Sequence, residues 1–177
     1  EAGADPNLTS EHGVAPLHVA IGNADADMVR LLLNAGADAR QTDATGETPL
    51  IMAARVGALD IVGQLLDRGA EVDRREPTFA QTALHVAARE RHVDVARALV
   101  ERGADIGART LPGATPEIRL PDENRGSKGV GIIRGGWPER GMRYPVPGAK
   151  TPLLYATRTG DLAMVRLLVE AGADGVK

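Results

Sequence analysis

Few side chains in this 177-residue sequence belong to types that do chemistry, and they are spread along the chain. The absence of cysteine excludes a thiolate nucleophile, a disulfide framework and a cysteine-based zinc site. No two histidines have the His-x-x-x-His spacing that a zinc site on a helix uses. We therefore predict structural histidines, with no metal ion and no cofactor. The histidines are His12, His18, His85 and His92.

The carboxylates do not assemble an active site either. Asp27, Asp60 and Asp94 recur 33 and 34 residues apart, early in predicted helices, where an acidic side chain interacts favourably with the positive helix end. Carboxylates spaced in this way do not converge on one pocket, and no nucleophile, base and orienting acid fall together. The glycine-rich segment 129–135 departs from Gly-x-Gly-x-x-Gly, because its third glycine comes one residue late. The sequence predicts a non-catalytic protein.

Two landmarks recur along the chain with one fixed spacing, which indicates a structural repeat. A turn of the type Gly-Ala-Asp/Glu begins at Gly3, Gly36, Gly69, Gly103 and Gly172. A helix start of the type Thr-Pro-Leu lies 21 residues before each of the last four turns, at Ala15, Thr48, Thr82 and Thr151. Threonine caps a helix, proline fits its first position, and glycine ends the next helix. Each unit is therefore a helix pair that buries its apolar face by stacking on its neighbours.

The pattern Gly-x-Thr-Pro-Leu-His-x-Ala-Ala, followed by a Leu/Val-rich helix and Gly-Ala-Asp, resembles the ankyrin repeat. His18 and His85 keep the histidine of that pattern, whereas Ile51 and Leu154 replace it. The resemblance implies an all-α helix-turn-helix solenoid in which these histidines tie neighbouring turns together. It places repeats at residues 10–42, 43–75, 76–109 and 147–177, after the end of a partial repeat at 1–9. We expect the chain to be a piece of a longer protein.

Residues 110–146 break the repeat pattern. Gly113 to Pro116 stand in register for a helix start, but Pro121 and five glycines between 126 and 136 remove the helix pair that should follow. We interpret this segment as a degenerate repeat slot or an extended Gly/Pro-rich loop that replaces one repeat. We expect it to interrupt the stack and to leave apolar edges that need cover. Residues 108–149 hold seven basic and four acidic side chains in a chain of net charge -3.

Recurring arginines and aromatic residues of the loops are the candidate partner-binding residues. An arginine comes seven residues after three of the helix starts, and the resemblance implies that this position faces the concave surface. The predicted partner-binding residues are Arg55, Arg89, Arg158, Phe79 near a finger tip, and Arg134, Trp137 and Tyr144 in the insertion. The alternatives are solvated charges for the arginines, and packing of Trp137 and Tyr144 onto the flanking repeats.

These features favour a non-catalytic scaffold that binds a protein with an acidic surface through its concave face, finger tips and insertion. One alternative is the recognition module of a larger enzyme or toxin. Another is a nucleic-acid or small-ligand site in the basic, Trp-containing insertion. The net charge of -3 favours neither nucleic acid nor membrane, and no run of about 18 apolar residues occurs. The sequence assigns neither a cellular compartment nor an oligomeric state.

Overall fold

The computed structural model describes residues 3–11, 13–111 and 150–172, and the backbone of residues 119–121 and 130–132. This part of the chain contains eight helices in four pairs. They are α1 (Pro16–Gly22) with α2 (Ala26–Asn34), α3 (Pro49–Val56) with α4 (Leu59–Asp67), α5 (Ala83–Glu90) with α6 (Val93–Glu101), and α7 (Pro152–Thr159) with α8 (Leu162–Glu170). The prediction of a helix-turn-helix solenoid is confirmed.

Short capping sequences set the ends of these helices. Thr48 begins α3 because its side-chain oxygen accepts the N–H of Ile51 at 3.2 Å. The helix ends at Gly57, whose φ of 79° is in the left-handed region that favours glycine. Aspartate begins two of the second helices, as at α8, where Asp161 accepts the N–H of Met164 at 3.1 Å. At these helices the cap residues therefore set the ends locally, within a few residues.

The helices form two layers with the core between them. The first helices of the pairs, α1, α3, α5 and α7, pack side by side, and so do the second helices, α2, α4, α6 and α8. Neighbours in the first layer pack more closely than neighbours in the second, so the stack curves with the first layer inside. Aliphatic side chains fill the space between the layers. The largest of those that are fully buried are Leu17, Ile21, Leu50, Ile51, Ile61, Leu65, Leu84, Leu99, Met164 and Leu168.

The stack is continuous across the insertion. Helix α7 packs directly on α5, as closely as α5 packs on α3, and α8 packs on α6. The ring of His85 in α5 meets the ring of Tyr155 in α7 edge to face, with centroids 6.1 Å apart. Ala87 and Ala88 of α5 are fully buried. The expectation that the insertion interrupts the stack is therefore wrong, because the third and last repeats cover each other's apolar faces.

A backbone hydrogen bond closes the base of every finger, the loop that precedes each first helix. The N–H of the first residue donates to the carbonyl of the second in the pairs Ser10 and Val14 (3.0 Å), Asp43 and Glu47 (3.1 Å), Glu76 and Gln81 (3.0 Å), and Thr110 and Lys150 (3.1 Å). The side chain of the first residue accepts the N–H of the second in all four. Three or four residues lie between the paired residues in the first three fingers, and residues 111–149 lie between them in the fourth. The insertion therefore replaces a finger tip.

The insertion contains one described strand pair. Strand β1 (Arg119–Pro121) runs antiparallel to β2 (Val130–Ile132), with Leu120 opposite Gly131. These two segments therefore belong to the insertion that replaces the finger tip.

Candidate protein-binding surface

The inner face is the exposed side of the first-helix layer together with the finger residues next to it. Each repeat contributes two equivalent positions to this face: the residue just before the helix cap, and the residue seven positions after the cap. The pairs are Val14 and Gly22, Glu47 and Arg55, Gln81 and Arg89, and Lys150 and Arg158. The contacts within these pairs differ from repeat to repeat, and the differences set the charge of the face.

In the second repeat the two positions form an ion pair. The Nε of Arg55 lies 3.2 Å from Oε1 of Glu47, and the Nη2 of Arg55 bonds the same oxygen. The backbone carbonyl of Arg55 accepts a hydrogen bond from Nε2 of His92 in the next repeat at 3.1 Å. Arg55 is exposed, as a binding residue must be, but its charge is locally compensated by Glu47.

In the third repeat the arginine begins a polar network. Nη1 of Arg89 donates to Oε1 of Gln81 at 3.1 Å, and Nε donates to Oε1 of Glu90 at 2.9 Å. The amide nitrogen of Gln81 then donates to the hydroxyl of Tyr155 at 3.3 Å. The network crosses from the third repeat to the last, so Arg89 and Tyr155 are held relative to each other.

In the last repeat the two positions carry like charges. The Nζ of Lys150 lies 5.7 Å from the centroid of the Tyr155 ring, within range of a cation–π interaction. Arg158 is exposed and has no hydrogen bond or ion pair with any residue that the structure describes. Among the described residues, the positive charge at this end of the inner face therefore has no acidic partner.

His85 fastens the base of the fourth finger. Its Nδ1 accepts the N–H of Thr82 at 3.2 Å, and its Nε2 donates to the carbonyls of Ala108 at 3.0 Å and Lys150 at 3.1 Å. Burial lowers the pKa of His85 to about 4, because loss of solvent outweighs the two carbonyls that favour the charged imidazole. The imidazole is neutral near pH 7 and ties both sides of the finger base to α5.

His18 has the corresponding role in the first repeat. Its Nδ1 accepts the N–H of Ala15 at 2.9 Å, which is the same bond that His85 makes with Thr82. Its Nε2 lies 2.8 Å from the carbonyl of Gln41 in the next finger. Both histidines act as hydrogen-bonding residues between neighbouring repeats. His12 lies outside the described residues.

One more predicted partner-binding residue lies on a described finger. Phe79 is 44% exposed at the tip of the third finger, and its carbonyl accepts the N–H of Leu111 at 2.7 Å, where the insertion begins. Arg134, Trp137 and Tyr144 lie outside the described residues. Among the predicted residues, Arg89 is linked through Gln81 to Tyr155 of the last repeat, whereas Arg55 is paired with Glu47 of its own repeat.

Sequence reasoning missed three residues of this surface: Gln81, Lys150 and Tyr155. Gln81 and Lys150 come eight residues before an arginine, as Glu47 does before Arg55. This spacing is a signal that the sequence contains. A search for recurring arginines on the helices does not find Gln81 and Lys150, because these two residues lie on the fingers.

The outer face offers a different kind of surface. A shallow groove of about 500 Å³ runs between α2 and α4, and its lining includes Asp27, Asp60 and Gln64. Asp27 is ion-paired with Arg30, and the amide nitrogen of Gln64 donates to the carbonyl of Ala26 at 3.2 Å.

Within the described ranges, no group of three or more His, Asp or Glu side chains is placed to hold a metal ion. None of the helices in those ranges is long and apolar enough to cross a membrane.

The stacked pairs and their repeating surface define a helical repeat protein. A family model for ankyrin repeats in three copies matches residues 2–76, and a model for the single ankyrin repeat matches residues 81–111 and 150–176. The chain belongs to the ankyrin repeat family. The match to the third repeat ends at residue 111 and the match to the last repeat begins at residue 150. The gap between these two matches therefore begins and ends at the finger base that Thr110 and Lys150 close. A comparison with curated proteins gave no match. Ankyrin repeats are generally protein–protein interaction modules.

Proposed function

We propose that this protein is a non-catalytic scaffold that binds a protein partner with an acidic surface across its concave inner face. The contact residues are Arg55, Arg89 and Arg158 in the first-helix layer and Phe79 at a finger tip. Arg134, Trp137 and Tyr144 of the insertion extend the contact beyond the stack. The scaffold acts by holding this surface rigid, which lowers the conformational entropy that the protein loses on binding.

The observation that carries this proposal is the row of arginines on one face of a rigid layer. Arg55 and Arg89 are held by side-chain hydrogen bonds on consecutive first helices, and Arg158 occupies the equivalent position on the next. Guanidinium groups make strong bidentate contacts with carboxylates. A row of three, on the first helices of the last three repeats, therefore suits a partner that presents several acidic side chains.

The test is recovery of a partner by the purified chain from an extract of the source cells, with identification by mass spectrometry. The inner-face variant changes Arg55, Arg89 and Arg158 to serine. The control variant makes the same change of charge on the outer face, at Arg30, Arg97 and Arg166, which occupy equivalent positions of α2, α6 and α8. We expect the partner to be recovered by the wild type and by the control, and to be lost from the inner-face variant.

Equal recovery by both variants would contradict the proposal, because it would place the contact away from the inner face. A third variant, in which the insertion is replaced by an ordinary finger tip, separates the contribution of residues 111–149. Unchanged recovery by that variant would restrict the binding surface to the stack. Repeating the recovery at about 0.5 M salt tests the electrostatic part, since exposed charge pairs are screened at that ionic strength.

A further inference from the structure

The equivalent pairs of the inner face differ systematically in charge along the stack. The first repeat has no charge at either position, since these hold Val14 and Gly22. The second and third repeats have an arginine that is ion-paired, with Glu47 and with Glu90. The last repeat has two cations, Lys150 and Arg158, and neither has an acidic partner among the residues that the structure describes.

We propose that the last repeat holds an anion-binding subsite of Lys150, Tyr155 and Arg158, which receives a partner's carboxylate and sets the direction in which an acidic peptide crosses the inner face. This inference rests on the proposed function, because it assumes that the partner binds to that face. It goes further in naming one end of the stack and one chemical group of the partner.

The support of the subsite is fixed. The Tyr155 ring is held by the edge-to-face contact with His85 and by the hydrogen bond from Gln81 at 3.3 Å. The backbone of Lys150 is held by bonds to Thr110 and to His85, so only its side chain needs to move toward an anion. Binding therefore needs no ordering of the ring or the backbone, and the conformational cost is limited to the side chains of Lys150 and Arg158.

The opposite end of the inner face is apolar. Val19 is 54% exposed and Val14 is 37% exposed. Helices in contact lie roughly 8–10 Å apart, so the three steps from α1 to α7 span about 27 Å. An extended peptide covers roughly 3.3 Å per residue and therefore bridges the two ends with about eight residues. The fitting ligand is an extended segment with a carboxylate cluster at one end and an apolar residue about eight positions away.

The first experiment measures binding of a fluorescent probe peptide by anisotropy at low ionic strength. The probe carries three glutamates, an eight-residue Gly/Ser spacer and two leucines, and a second probe carries lysines in place of the glutamates. We expect the glutamate probe to bind and the lysine probe not to bind. Arg158→Ser is expected to weaken binding of the glutamate probe at least tenfold, whereas Arg97→Ser on the outer face leaves it within twofold.

The most specific variant is Lys150→Glu, because it reproduces the pair found in the second repeat. Glutamate eight residues before Arg158 should form the ion pair that Glu47 forms with Arg55, and should abolish binding of the glutamate probe. The finger base is retained, because Lys150 takes part in it through its backbone. Circular dichroism melting of each variant checks that the stack is intact. Unchanged probe binding by Lys150→Glu, or no binding by the wild type, would overturn the inference.

The second experiment tests direction and uses the absence of cysteine from the chain. A nitroxide is attached at Thr157→Cys beside Arg158, or at Asn23→Cys after α1, and the fluorophore is placed at the glutamate end of the probe. Quenching by the label at position 157 and not by that at 23 supports the proposed direction, and the reverse overturns it. In the partner-recovery assay, a variant that changes only Arg55 and Arg89 to serine leaves the subsite intact and reports on the proposed function by itself, so failure of the proposed function is distinguished from failure of the subsite.

Discussion

Replacing the insertion by an ordinary finger tip is expected to stabilise the solenoid. The variant joins Thr110 to Lys150 through the tip sequence Ala-Thr-Gly that lies between Asp43 and Glu47. The loop closed by the finger-base bond then shortens from 40 residue steps to 4. Loop-closure entropy varies as (3/2)RT times the logarithm of loop length, so a tenfold shortening is worth about 2 kcal/mol. The assay is equilibrium unfolding in urea followed by circular dichroism, with wild type and variant compared at one temperature.

A matched control keeps the loop length and changes only its sequence. In this control residues 112–149 are shuffled while Thr110, Leu111 and Lys150 are retained. Its free energy of unfolding is expected to equal that of the wild type, because loop-closure entropy depends on length. A loss of more than about 1 kcal/mol in either variant would refute the reasoning, since it would require stabilising contacts between the insertion and the stack.

The other stability predictions concern substitutions at single positions. Gly57→Ala is expected to lower the free energy of unfolding by about 1–3 kcal/mol, because φ is 79° and the new Cβ would lie 2.5 Å from the His92 ring. Gly63→Ala should raise the free energy of unfolding by about 0.5–1 kcal/mol, because Gly63 lies inside α4 and a new Cβ there would meet no neighbouring atom within 4 Å. Urea unfolding that gives Gly57→Ala and Gly63→Ala the same stability would contradict both expectations. Asp161→Ala should cost about 1 kcal/mol in the same assay through loss of the α8 cap, and no change in the urea midpoint would count against that role. For His85, the unfolded state binds more protons between pH 6.5 and about 4, so stability should fall by at most about 3 kcal/mol as pH drops through that window. His85→Leu should have a flatter pH dependence in urea titrations, and an equally steep one would refute the assignment.

The sequence was sufficient to predict the helices because their signals are local. Thr48 and Gly57 mark the beginning and end of α3 by interactions within one turn, and Thr151 and Gly160 do the same for α7. Each of the four predicted helix starts comes one residue before the first residue of the observed helix. Burial was less predictable because it depends on a neighbouring repeat. Ile51 is 1% exposed and Leu154 is 50% exposed at the same repeat position, since another repeat covers the first within the described stack.

The continuity of the stack could not be predicted from the sequence. A spacing of 48 residues from Gly103 to Thr151, against 12 from Gly36 to Thr48, is compatible with a missing repeat or with a long finger tip. The bonds between Thr110 and Lys150 decide between them, and they are long-range contacts that no periodicity reveals. The site residues on the first helices followed from periodicity, whereas Gln81 and Lys150 depended on contacts between a finger and a helix.

The insertion leaves the stack at Lys150, next to the subsite proposed on the last repeat, so the insertion and the inner face can act on the same partner. Lys150 closes the finger base through its backbone and supplies the cation over Tyr155 through its side chain. A partner bound at the last repeat therefore lies beside the residue from which the insertion leaves the stack. Residues 108–149 have a local charge of +3, and charges within about 10 Å of one another interact at 0.1 M salt. The insertion should accordingly increase the rate at which an acidic partner associates. The finger base and the proposed Lys150 subsite should persist when the insertion is replaced. Replacement should therefore slow association through the lost positive charge, and speed dissociation only through loss of the contacts proposed for Arg134, Trp137 and Tyr144.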